Sequence, residues 1–91
     1  MFQIEDEAHA EPQGRFGSYE AAMSELRRRA MVPWDKPPNR CPCLSWRTCG
    51  RKYEIVEYDD ACQPWRELRR VPVLDISANG LLWQIAEQDR L

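Results

Sequence analysis

The sequence predicts an α+β domain in which one N-terminal helix packs on a three-stranded antiparallel sheet ending in an Asn-Gly hairpin. A long Pro/Cys-rich loop joins helix to sheet. Three observations predict this. "SYEAAMSELRRRAMV", from Ser18, carries apolar side chains at helical spacing. "RKYEIVEYDD", from Arg51, is rich in β-branched and aromatic residues. Asn79-Gly80 lies at the centre of "VPVLDISANGLLWQIAE", the pattern of a two-residue hairpin turn whose central residues need positive φ.

Taken in order, residues 1–17 hold few large apolar side chains and show no helical or strand period, which predicts a disordered tail that folding can do without. The tail carries Glu5, Asp6, Glu7 and Glu11 against Arg15, whereas residues 18–70 are mildly basic. It could fold back onto that body, but a solvated tail is the reading the composition favours. The ordered domain then spans residues 18–91. Ser18 is a good N-cap, Glu20 sits where the helix dipole favours an acid, and Arg27 to Arg29 sit where it favours bases. Tyr19, Ala22, Met23, Leu26 and Ala30 form the apolar stripe, and Pro33 ends the helix by Val32.

Residues 33–50, "PWDKPPNRCPCLSWRTCG", contain four prolines and predict irregular chain. A connection of that length is uncommon in a small domain and is usually functional or pinned. After the Arg51 strand, "ACQPWRELRR" is ambiguous: Pro64 could open a helical turn, or residues 65–70 could extend the next strand. In the last hairpin, a loop at Asn79-Gly80 pairs Ile76 with Trp83 and Leu74 with Ile85 on one apolar face.

A chain of 91 residues buries only about 60–65% of its unfolded surface, so one modest core is expected and no large enclosed active site. No apolar run approaches the ~20 residues of a membrane span. The N-terminus has neither the basic nor the apolar segment of a secretory signal, which predicts a cytoplasmic, reducing setting.

Three chemistries compete for the loop. Cys41, Cys43, Cys49 and Cys62 supply the four thiols a structural zinc site uses, but their C-x-C-x5-C-x12-C spacing lacks paired knuckles. Ordinary free thiols are favoured over zinc or a redox pair within residues 41–62, with a Cys43–Cys49 disulfide the choice in an oxidising compartment. "CPCLSWRT", residues 41–48, matches C-x5-R-T and resembles the phosphate-binding loop of cysteine phosphatases. That loop should leave a strand and enter a helix, and here a strand follows, so the match reads as coincidence. Finally, Trp46 among Arg40, Arg47, Arg51 and Lys52 could stack bases while the arginines meet phosphates. A sequence pI near 5.4 argues against a dedicated single-stranded nucleic-acid module.

His9 is the only histidine and falls in the expected tail, which leaves no Cys-His arrangement on an ordered scaffold. By elimination the sequence favours a non-enzymatic module without a cofactor that binds a macromolecule, foremost a protein, as a regulator, inhibitor or accessory factor. Trp34, Arg40, Trp46, Arg47, Arg51 and Trp65 are the candidate partner-binding residues, because loop tryptophans and arginines are enriched at interfaces.

Overall fold

The structure is a computed structural model that describes residues 1–85. It corrects the expected architecture: the sheet has five strands, in the order β2-β1-β3-β4-β5. They are β1 (Phe2–Asp6), β2 (Glu11–Phe16), β3 (Arg51–Asp59), β4 (Arg66–Ser77) and β5 (Gly80–Trp83), with α1 (Tyr19–Arg29) between β2 and β3. Every neighbouring pair is antiparallel. The expected tail is therefore the β1–β2 hairpin, and β1 lies between β2 and β3 inside the sheet.

The physical reason is charge compensation over long range. Phe2 and Ile4 alternate with Gln3 and Glu5, so β1 does carry a strand period, and Ile4 is fully buried opposite Ile55. On the other face Glu5 stands directly opposite Glu54, an unfavourable pair by itself. Arg70 of β4 resolves it, with Nη1 donating to Glu5 Oε1 at 3.2 Å and to Glu54 Oε1 at 2.6 Å. Tyr58 donates its hydroxyl to Glu5 as well. Glu5, Asp6 and Glu11, acids that made these residues look like a tail, are thus neutralised by arginines 40 to 65 positions away.

Helix α1 forms as its sequence predicts. Ser18 Oγ accepts from Ala21 N at 3.0 Å, and Ala22, Met23 and Leu26 are buried against the sheet. They join Ile4, Tyr53, Ile55, Val73, Leu74 and Ile76 in one core on the covered face. At the ambiguous Pro64 stretch, the chain runs as strand from Arg66.

The last hairpin is corrected in register. Ser77 pairs with Gly80, Ile76 with Leu81 and Leu74 with Trp83, so the turn residues are Ala78 and Asn79, and Gly80 takes the positive φ, +111°. Because the register differs from the expected one by two residues, Leu74, Ile76, Leu81 and Trp83 keep their shared face.

Residues 30–50 cross the covered face beyond the helix, and Asn39 holds them there. Its buried Nδ2 donates to Arg29 O at 2.8 Å and Val32 O at 2.9 Å, while Tyr53 Oη donates to its Oδ1 at 3.0 Å. One side chain thereby satisfies the end of α1 and ties the loop to β3. Asn39→Ala is expected to cost about 2–3 kcal/mol in urea unfolding, since it strands buried polar groups; an unchanged midpoint would show that the loop is held elsewhere. At the loop's far end, a Cβ on Gly50 would sit 3.0 Å from Ile76 O, so a larger residue there would push β3 and β4 apart by a few tenths of an ångström.

Candidate metal centre

The covered face of β1 and β3 ends in two ionisable side chains, Asp6 and Arg51, where a purely apolar core would have neither. Asp6 is fully buried. Its Oδ1 accepts from Ala8 N at 3.1 Å and Lys52 N at 3.0 Å, and its Oδ2 accepts from Arg51 Nη1 at 2.9 Å. Burial pushes the carboxyl upward, but the Lys52 amide and the Arg51 and His9 hydrogen bonds outweigh it and leave its pKa below the ordinary value. Arg51 also donates to Glu11 Oε1 at 2.8 Å and to Arg40 O at 2.9 Å. It is therefore a buried structural cation and presents no free guanidinium at the surface.

The Asp6 carboxylate folds the following turn: with the Ala8 amide bound to it, residues 7–10 reverse the chain into β2. That places His9 with its Nδ1 2.6 Å from Asp6 Oδ2. Nδ1–H then donates to the carboxylate and the lone pair of Nε2 points away from it. Burial lowers the imidazole pKa and the Asp6 hydrogen bond raises it, with a net rise.

Three thiols meet that nitrogen. Cys49 Sγ lies 3.1 Å from His9 Nε2 and Cys43 Sγ 3.9 Å from it. The ligand atoms of His9, Cys41 and Cys49 all lie within 4.8 Å of one another. A tetrahedral zinc with Zn–S near 2.3 Å and Zn–N near 2.0–2.1 Å would set N···S edges of about 3.6 Å and S···S edges of about 3.8 Å. His9, Cys41 and Cys49 stand within about 1 Å of that spacing, and Cys43, outside that trio, adds a sulfur 3.9 Å from His9 Nε2. Ser45 shapes the loop around it: its carbonyl accepts from the amides of Thr48 and Cys49, and its hydroxyl meets Cys43 Sγ at 3.5 Å.

The thiols are not equivalent. Burial first, then the neighbouring Cys49, pushes Cys41 up to about 12, against the field of Arg51. The Ser45 hydroxyl first, then His9 and Cys49, draw Cys43 down to about 7. Cys62, expected as the fourth thiol of a metal site, is exposed in the β3–β4 turn, with its Sγ 3.7 Å from Asp59 Oδ2. The ring of His9, instead of Cys62, lies beside the other three. This overturns the expectation that no Cys-His arrangement could be built, and the missed residues are His9 and Asp6. The signal in the chain was a lone histidine three residues after an acid.

Of the other sequence candidates, four come together. Trp34 and Trp46 pack at 5.7 Å between ring centroids, and the guanidiniums of Arg40 and Arg47 lie 4.0 and 4.6 Å from the Trp46 ring. Trp65 is at the opposite end of the sheet, against Tyr58 at 5.9 Å and under Arg15 at 4.5 Å. The C-x5-R-T match forms no phosphate loop. Arg47 is on Trp46, Cys41 is buried, and the segment leads into β3 without a helix.

The Cys49–His9–Asp6 order resembles a thiol, base and orienting carboxylate. A nucleophilic site needs one thiol on its base, however, and here three converge on a single imidazole. Imidazole plus thiolates, with a carboxylate on the far ring nitrogen, is the donor set and outer support of a zinc site. No protein-family model matches this chain, and searches of curated proteins and of solved structures find no significant match. Among the described residues no helix is long and apolar enough to cross a membrane.

Proposed function

We propose that this chain is a small metal-clasped binding module. One zinc ion is held by Nε2 of His9 and by Sγ of Cys41, Cys43 and Cys49, and it fastens residues 40–50 to the β1–β2 turn. Four protein donors leave no open position, so the ion is structural and the module non-enzymatic. What the clasp supports is a rigid display of Trp34, Arg40, Trp46 and Arg47 for a macromolecular partner, a protein before a nucleic acid. The carrying observation is that Cys41 and Cys49 cluster with a histidine whose other nitrogen is held by a buried carboxylate, with Cys43 Sγ 3.9 Å from the same ring. Arg51, paired with Asp6 and Glu11, supports it electrostatically, since its field favours the Cys41 thiolate.

The test is metal analysis of the chain purified without chelator. One equivalent of zinc per chain is expected, and cobalt substitution should give the absorption of a tetrahedral thiolate site. His9→Ala and Cys43→Ser should lower the stoichiometry or affinity, while Cys62→Ser should leave both unchanged. A chain with well under one equivalent, or one whose metal depends on Cys62, would overturn the proposal.

A further inference from the structure

The clasped loop carries more cations than acids. Residues 31–50 contain Asp35 against Lys36, Arg40 and Arg47, and among the described residues Arg40 and Arg47 make no ion pair closer than 4.0 Å. Both guanidiniums instead lie on Trp46, which holds their planes while their N–H edges stay available. On the sheet surface Arg66, Arg69 and Arg70 are already paired to Asp59, Glu57 and the Glu5/Glu54/Glu67 group, while Arg15, with no ion pair among the described residues, lies over Trp65 at the opposite end of the sheet.

Trp34 links this pair to an apolar groove. The groove, of about 260 Å³, lies between the end of α1 and β5 and is lined by Met31, Pro33, Trp34, Ile76 and Leu81 among others. Met31 is 87% exposed and Leu81 48% exposed at its rim. Leu44, between Arg40 and Arg47 in the sequence of the same loop, is fully exposed. A slot that takes one apolar side chain therefore adjoins two preorganised carboxylate forks.

We infer that this surface binds an acidic protein segment in which a large apolar residue, seated in the Met31/Pro33/Trp34/Leu81 groove, is followed by carboxylates that reach Arg40 and Arg47. Charge complementarity selects the carboxylates, because each guanidinium offers two parallel donors to one acid. A nucleic-acid strand fits less well: the Trp46 ring is already covered by guanidiniums and by Trp34, and the groove is lined mainly by aliphatic side chains. The inference rests on the clasped loop proposed above for its rigidity, but on different side chains for its contacts.

The test is fluorescence anisotropy with three labelled probes: a peptide with a leucine pair followed by a run of glutamates, its glutamine counterpart, and an oligothymidylate. The acidic peptide is expected to bind, to weaken as salt rises, and to exceed the glutamine peptide by at least about tenfold. Arg40→Gln with Arg47→Gln should weaken it about tenfold or more, and Leu81→Asp, which changes the groove and leaves the loop alone, should do the same. Arg66→Gln, at the far end of the sheet, should have no effect. Absent or salt-independent peptide binding, equal binding of the glutamine peptide, indifference to both variants, or tighter oligothymidylate binding would each overturn the inference. Zinc content is read separately on every variant. A zinc-loaded chain that ignores the peptide overturns this inference alone, and a zinc-free chain that binds it overturns the metal proposal alone.

Discussion

Asp6→Ala is expected to destabilise the fold by about 3–5 kcal/mol, the usual cost of removing one partner from a buried ion pair. Four groups lose their acceptor at once: the amides of Ala8 and Lys52, Nδ1 of His9 and Nη1 of Arg51. Arg51 then stays buried with Glu11 and the Arg40 carbonyl, and its Nε already has no partner. Urea unfolding measures the loss, and Asp6→Asn, which keeps an acceptor oxygen, should lose less. A midpoint close to that of the parent chain for Asp6→Ala would mean that Arg51 is accommodated by water and that the carboxylate has no structural role. The same substitution frees the imidazole to rotate, so the fraction of chain that holds zinc at limiting metal should fall too. Carboxylates behind a ligating histidine are worth about 10–100-fold in metal affinity.

Removing the metal is the second large effect. A strong chelator is expected to lower the unfolding free energy by about 4 kcal/mol relative to the chain at a thousandfold excess of free zinc over its dissociation constant. The loss is local before it is global. Amides of residues 40–50 should exchange first, because little besides the clasp, the Arg51 contact to Arg40 O and the Trp34–Trp46 packing holds them. Amides of β3 facing β1 and β4 should stay protected to higher denaturant. Identical exchange of residues 40–50 with and without chelator would exclude a metal clasp.

The two effects show where local chemistry suffices and where it does not. Helix α1 was legible because its cap, its charges at both ends and its apolar stripe all lie within a dozen residues. β3 was legible for its run of Tyr53, Ile55 and Val56, and the last hairpin for its alternation, although its turn lies one residue earlier than Asn79-Gly80 suggests. Its faces survived that error because two residues are one full period of a strand. β1 and β2 were not legible. Phe2 and Ile4 form a short strand signal, and Glu5, Asp6, Glu7 and Glu11 drown it unless their counter-charges are known to be near.

What the sequence by itself determined is therefore a set of local elements: one capped amphipathic helix, apolar strands of stated parity, and a proline-rich loop loaded with thiols. It also named Trp34, Arg40, Trp46 and Arg47, which stand within fourteen positions of one another and pack together in the fold. Only the tertiary structure decided which distant groups meet. It set β1 between β2 and β3, brought Arg51 to Asp6 across 45 residues, and carried His9 to Cys49 across 40. Thiol spacing alone suggested a four-cysteine set and named Cys62, which the β3–β4 turn carries away from the other three. The reason is physical: a ligand set is a statement about distances through space, and spacing along a chain limits those distances only within a turn or two, whereas strand order in an antiparallel sheet chooses which turns become neighbours.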